Sequence, residues 1–199
     1  IACDADAIIV HHGFFWKNEN PIVTGMKRQR LASLLRHDVN LLAYHLPLDA
    51  HPSLGNNIQL AQRMGWLTAG RLSEKDEGAL IFYGELPEPQ TAKTFMTQLE
   101  KILGHKPLHI PGADTKISRL AWCTGAAQGY IEQVLGKGFD AYISGEASEY
   151  TTHIARENNI HYFAAGHHAT ERYGIQALGA HLAETFGLEH QFIDIDNPV

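Results

Sequence analysis

Two histidine pairs carry the chemistry this chain could do. His11 and His12 close the apolar run "AIIVHH". His167 and His168 stand in "GHHATE", with Glu171 four positions after the first and three after the second. On a helix both spacings share a face, so either histidine could act with Glu171. A further histidine, His45, is followed four residues later by Asp49 in "HLPLDAHP". That parallel favours His167 over His168. Gly13 frees the backbone after His12, so both rings of the first pair can turn toward one cleft from different sides.

The candidate ligand set is therefore His11, His12, Asp49, His167 and Glu171: imidazoles and carboxylates without a thiolate. This mix suits Zn, Mn, Fe, Co or Ni, and suits Ca or Mg poorly. Rings approaching from two sides suit two ions, and the two oxygens of Glu171 allow it to bridge them. Open coordination positions would hold water, and ions of this kind lower its pKa toward neutrality, which is hydrolytic chemistry. His45 and Glu146 are the other polar residues at strand ends, read as groups that orient ligands or move protons.

The elements that must position these residues follow from hydropathy. Apolar runs at 6–12, 40–45, 116–125, 139–146 and 160–166 read as strands. So do "ALIFYGELPEP" and "LEHQFIDI". "KPLHIPG", with Pro107 and Pro111, reads as an edge strand. Amphipathic stretches at 26–38, 54–65, 89–104, 126–138, 147–159 and 170–187 read as helices. The alternation predicts an α/β fold with a largely parallel sheet, in which ligands gather beyond the carboxyl ends of strands. His11, His12, His45, Glu146 and His167 all fall at such ends.

The chain echoes itself. "DADAIIVHHG" lies on "GFDAYISGEA", setting Asp6 on Asp140 and His12 on Glu146. "NLLAYHLPLD" lies on "YFAAGHHATE", setting His45 on His167 and Asp49 on Glu171. An internal duplication would leave this pattern.

Composition narrows the function. A formal charge of −6 over 199 residues argues against coating nucleic acid by bulk positive field. Cys3 and Cys123 are too isolated for a disulfide framework or zinc knuckle and read as reduced thiols of a cytoplasmic protein. No apolar run is long enough to span a bilayer. There is no Gly-x-Ser-x-Gly elbow or nucleophilic Cys–His arrangement, so covalent catalysis is not expected. Thr124 in "WCTGAAQG" could cap a phosphate-holding turn, but a plain strand-to-helix turn explains it better. The basic run "KRQR" reads as a solvated helix face, and "GFFW" at 13–16 as the rim of a subunit interface.

Together, "AIIVHHGFFW", "YHLPLDAHPSLGNN" and "AAGHHATERYGIQALG" resemble the Nif-three-like dinuclear metal-centre family, whose bacterial members are commonly described as GTP cyclohydrolase I type 2 homologues. The resemblance covers essentially the whole chain and is closest to the short bacterial branch. It implies two divalent ions, one held by His11 and His167, the other by His12 and Asp49, with Glu171 bridging. It further implies two interlinked, similar α/β lobes in a three-layer αβα arrangement. Residues 1–112 would form the first, with 69–112 as a small subdomain, and 113–199 the second, the metal site lying at their interface. An N-terminal segment is expected to precede "IACDADA". The implied assembly is a homohexameric ring, a trimer of dimers. The implied activity is metal-dependent hydrolysis of a nucleotide or related small molecule. The alternative is a ring-shaped metal-binding scaffold that engages nucleic acid or a protein partner without turnover.

Overall fold

A computed structural model describes residues 5–73 and 79–199. The fold is α/β, as expected. The chain forms two compact units, Ile1–His45 and Leu46–Val199. Cys3 lies outside the described residues.

The first unit contains β1 (Ala7–Val10), α1 (Gly25–Arg36) and β2 (Asn40–Ala43). The two strands pair in parallel, Ala7 opposite Asn40 through Val10 opposite Ala43. A helical crossover is what a parallel pair requires, and α1 supplies it. No residue of α1 is buried, and Leu35 on its predicted apolar stripe is 80% exposed.

The second unit is built on one six-stranded sheet in the order β3-β4-β6-β7-β8-β5. Its strands are β3 (Leu67–Arg71), β4 (Phe82–Gln90), β5 (Leu108–Ile110), β6 (Ile117–Trp122), β7 (Ala141–Ser144) and β8 (His161–Ala164). Its principal helices are α3 (Asn56–Met64), α4 (Ala92–Leu103), α6 (Glu149–Glu157) and α8 (Tyr173–Phe186). Shorter ones are α2 (Leu46–Asp49), α5 (Ile131–Val134) and α7 (His167–Glu171). Period-two alternation places Leu120, Trp122, Ile143 and Phe163 in one core, with Leu60 of α3 and Phe95 and Leu99 of α4. Ala121, Tyr142 and Tyr162 enter a second core, with Ile131 of α5 and Ala155 of α6. A strand buried on both faces reads as a continuous apolar run, which is why β7 and β8 were plain in the sequence.

Four expectations change. The sheet is mixed: β6, β7 and β8 run parallel, but β3 with β4, β4 with β6 and β5 with β8 are antiparallel. Antiparallel pairs need no helical crossover, so hydropathy alone does not reveal them. β5 does lie at the edge, as its flanking prolines require. The segment "LEHQFIDI" forms no strand; it runs over the helices, tied down by side-chain contacts of Asp194. The helix expected at 126–138 is only a 3-10 turn, Gln128–Tyr130, followed by α5, with Gly136 and Gly138 at positive φ beyond it. The helix expected at 170–187 is divided at Arg172 into α7 and α8.

Candidate metal centre

In the first unit β1 ends at Val10 and delivers His11 and His12; β2 ends at Ala43 and delivers His45 two residues later. The three rings cluster. His45 stands edge-on to His11 at 5.0 Å and to His12 at 5.1 Å between centroids, and the His11 and His12 rings are 4.7 Å apart. One ring nitrogen from each lies within 4.8 Å of the others. Trp16 packs on both His12 and His45. The buried His11 points Nδ1 at the Tyr44 carbonyl, 2.9 Å away. A carbonyl only accepts, so Nδ1 carries the hydrogen and Nε2 presents its lone pair, the tautomer a metal ligand needs.

In the second unit Asp49 ends α2 and is 4% exposed. Its Oδ1 accepts from Asn56 Nδ2 at 2.8 Å and from the Thr124 hydroxyl at 3.4 Å. Asn57 ties the same elements together. Its amide donates to the Asp49 carbonyl, while its Oδ1 accepts the Thr124 N–H at 3.0 Å. These bonds fix the rotamer of Asp49 and the direction of its other oxygen.

Glu171 is 9% exposed, on α7, with a carboxylate oxygen within 4.8 Å of one from Asp49. Gly125, at φ +69°, makes room for it: a Cβ there would stand 1.9 Å from Glu171 Oε1. Two buried carboxylates this close repel each other unless a cation or proton compensates them. The surroundings therefore fit a divalent cation.

His167 is gripped on both nitrogens. Nδ1 lies 2.6 Å from Glu146 Oε1 and Nε2 lies 2.9 Å from Glu171 Oε2. The bond to Glu171 raises the imidazole pKa to about 9, with Glu146 adding and burial opposing. Without metal, His167 is thus an imidazolium between two carboxylates, the charge a metal ion would replace. Burial pushes the Cys123 thiol up, and the negative charge of Asp49 and Glu171 adds to the effect. Cys123 stays a thiol and offers neither nucleophile nor thiolate ligand.

The five candidate ligands and the two strand-end residues read with them lie in two groups. His11, His12 and His45 form one; Asp49, Glu146, His167 and Glu171 form the other. His168 turns away from the second group, its Nε2 3.0 Å from Asp194 Oδ1. Sequence reasoning missed Asn56 and Asn57; the signal available was a pair of asparagines opening an amphipathic helix just after Asp49. It also missed the Thr124 hydroxyl as a ligand-orienting group and Gly125 as the cradle of Glu171.

Proteins named GTP cyclohydrolase 1 type 2 homolog from Pseudomonas aeruginosa and Yersinia pestis are 52% and 54% identical, across the whole of this chain and 78% of each relative. Among solved structures, the protein ybgI, titled as of unknown function, superposes with TM-score 0.94 at 48% identity, over the whole of this chain and 78% of that one. A Thermus thermophilus protein superposes at 0.87 with 32% identity and the same coverage. The profile of the Duf34/NIF3 (NGG1p interacting factor 3) family matches residues 1–198, and the chain belongs to that family.

Proposed function

We propose that the protein is a dinuclear metal-dependent hydrolase acting on a nucleotide or a related small molecule. By the family resemblance, His11 and His167 would hold one ion, His12 and Asp49 the other, and Glu171 would serve both. The observation that carries the reading is the grip on His167: a carboxylate on Nδ1 at 2.6 Å, with Nε2 directed at the buried Glu171. Carboxylate–histidine–metal arrangements use this geometry to fix the tautomer and strengthen the ligand. The Nδ1–carbonyl bond of His11 supports it in the same way.

Two divalent ions of the Zn, Mn, Fe, Co or Ni type would supply Lewis acidity when bound. The chain's own residues do the rest. Glu146 holds the Nδ1 proton of His167. Asn56 and Thr124 hold Asp49 in one rotamer. His45, packed on His11 and His12, would take and return a proton. The name shared by the relatives supports attack on a purine ring carbon of GTP; phosphoester hydrolysis is the other outcome such chemistry allows.

From the family resemblance we also take the hexameric ring. Phe15, Trp16, Ile22, Val23 and Met26 are exposed apolar residues in one stretch, which supports a surface covered by a second copy. Sedimentation of the protein should give a hexamer; a monomer at micromolar concentration would refute that part.

The test is turnover. Protein loaded with Zn, Mn or Fe is assayed against GTP, other nucleotides and phosphoesters, beside Glu171→Ala. Metal-dependent turnover lost in the variant supports the hydrolase. Full metal loading with no turnover on any substrate favours the scaffold reading instead.

A further inference from the structure

The helix that carries His167 and Glu171 is only five residues long. One and a half turns cannot hold their own shape in water, so the orientation of α7 must be imposed by its neighbours. We propose that the segment 188–199 is a latch on α7, and that Asp194 is a positioning residue for the metal ligands. This inference rests on the metal-centre reading above.

The contacts are made by the residues next in sequence to its ligands, about 100° further round the helix. Each ligand has a sequence neighbour that Asp194 engages. Asp194 Oδ1 lies 3.0 Å from His168 Nε2, and Oδ2 accepts from Arg172 Nη1 at 2.9 Å. One carboxylate thus spans the turn between His168 and Arg172, the residues that follow His167 and Glu171. The Val199 carbonyl accepts the His168 backbone N–H at 2.8 Å, one of the N-terminal donors that α7 cannot satisfy itself. Arg172 carries the restraint into the core side of the unit by donating Nη2 to the Leu103 carbonyl at the end of α4, 2.7 Å away.

Apolar burial in this segment is slight, with only Phe192 half-buried. Among the described residues it pairs with no strand, and Ile193, Ile195 and Val199 remain largely exposed. The polar clasp supplies its directional contacts to α7. Gly179 of α8 marks its path, since a Cβ there would stand 2.1 Å from His190 Nε2. The clasp is partly exposed, and exposed ion pairs contribute little each. The effect on the ligands is accordingly that of a remote support, smaller than the tenfold to hundredfold loss when a direct partner of a ligand is removed.

The experiment compares wild type, Asp194→Asn and Asp196→Asn. The last removes the same charge from the same segment at a position outside the clasp. Two readouts are taken: Zn or Mn affinity by competition with a chelator, and amide exchange of residues 167–172 in the metal-free protein. Asp194→Asn should weaken metal binding about threefold to tenfold. It should also speed exchange across α7 with the thermal midpoint nearly unchanged. Asp196→Asn should do neither. Unchanged affinity and exchange in Asp194→Asn overturns the latch, as does an equal loss in both variants. If wild type itself binds no metal, the metal-centre reading fails, and the latch stands or falls on the exchange result alone.

Discussion

The two parallel strand pairs, β1 with β2 and β7 with β8, solve the same problem in different surroundings. Each sends ligand-type residues out from its carboxyl ends: His11, His12 and His45 from one, Glu146 and His167 from the other. Each begins with the same backbone bond, Asn40 N–H to the Asp6 carbonyl in the first and His161 N–H to the Asp140 carbonyl in the second. The packing differs. Every residue of β7 and β8 is buried, whereas β1 and β2 are half-buried or exposed throughout. The support for the donors differs in the same sense. Glu146 grips His167 through a carboxylate, while the first-unit histidines pack on one another and on Trp16, with His11 Nδ1 directed at the Tyr44 carbonyl. A core-embedded strand pair can fix its donors individually; a thinly packed one fixes them as a cluster.

Several substitutions would break or sharpen this contrast. The largest effect belongs to the core. Phe163→Ala in β8 removes a fully buried ring stacked 4.5 Å from His109 and should cost about 3–5 kcal/mol. Ile9→Ala in β1 should cost about 1 kcal/mol, because its side chain is only partly removed from water. Urea denaturation measures both, and equal losses would erase the distinction. Next comes donor support. Glu146→Gln should weaken metal binding about tenfold to hundredfold by loosening His167. His45→Ala, which removes a ring packed on His11, His12 and Trp16, should weaken it less; isothermal titration with Zn or Mn ranks the two.

A smaller loss is expected at the Glu171 cradle. Gly125→Ala should cost about 1–3 kcal/mol from positive φ alone, and should also displace Glu171 and lower metal affinity. Gly65→Ala has the same left-handed φ but nothing within 4 Å, and should leave metal binding unchanged. The smallest effect is one of pH. Burial lowers the pKa of His109 and of His161, which meet at 3.1 Å beside β5. In the unfolded chain these imidazoles take protons near the ordinary value of 6.5, above where the folded protein does. Their contribution to stability is therefore present above that pH and lost as pH falls below it. Thermal midpoints across this range should fall less in His109→Phe than in wild type.

Much of this was legible in the sequence, for physical reasons. Strands buried on both faces, such as "AYIS" and "HYFA", announce themselves as apolar runs, and donors at strand ends follow from how parallel sheets form clefts. The short β3, "LTAGR", has too little apolar character to be read. "LEHQFIDI" has a strand's composition, yet Asp194 draws it onto α7. The internal echo is instructive because it slips by one. Matching residues by type sets Asn40 on Tyr162 and His45 on His167. The backbone pairs Ala7 with Asn40 but Ala141 with His161, so Asn40 corresponds to His161 and His45 to Gly166. A one-residue shift reverses which face each side chain takes, and residue types alone do not reveal it. The network around Asp49 was hidden for a different reason: Thr124 lies 75 positions away along the chain and meets Asp49 only in the fold.

The central claim is that these histidines and carboxylates are metal ligands. Elemental mass spectrometry of the purified protein, as isolated and after equilibration with Zn or Mn, tests it most directly, with Glu171→Ala beside it. The predicted result is about two ions per chain in wild type and their loss in the variant. Wild-type protein that retains no metal after Zn and Mn have both been supplied would contradict it.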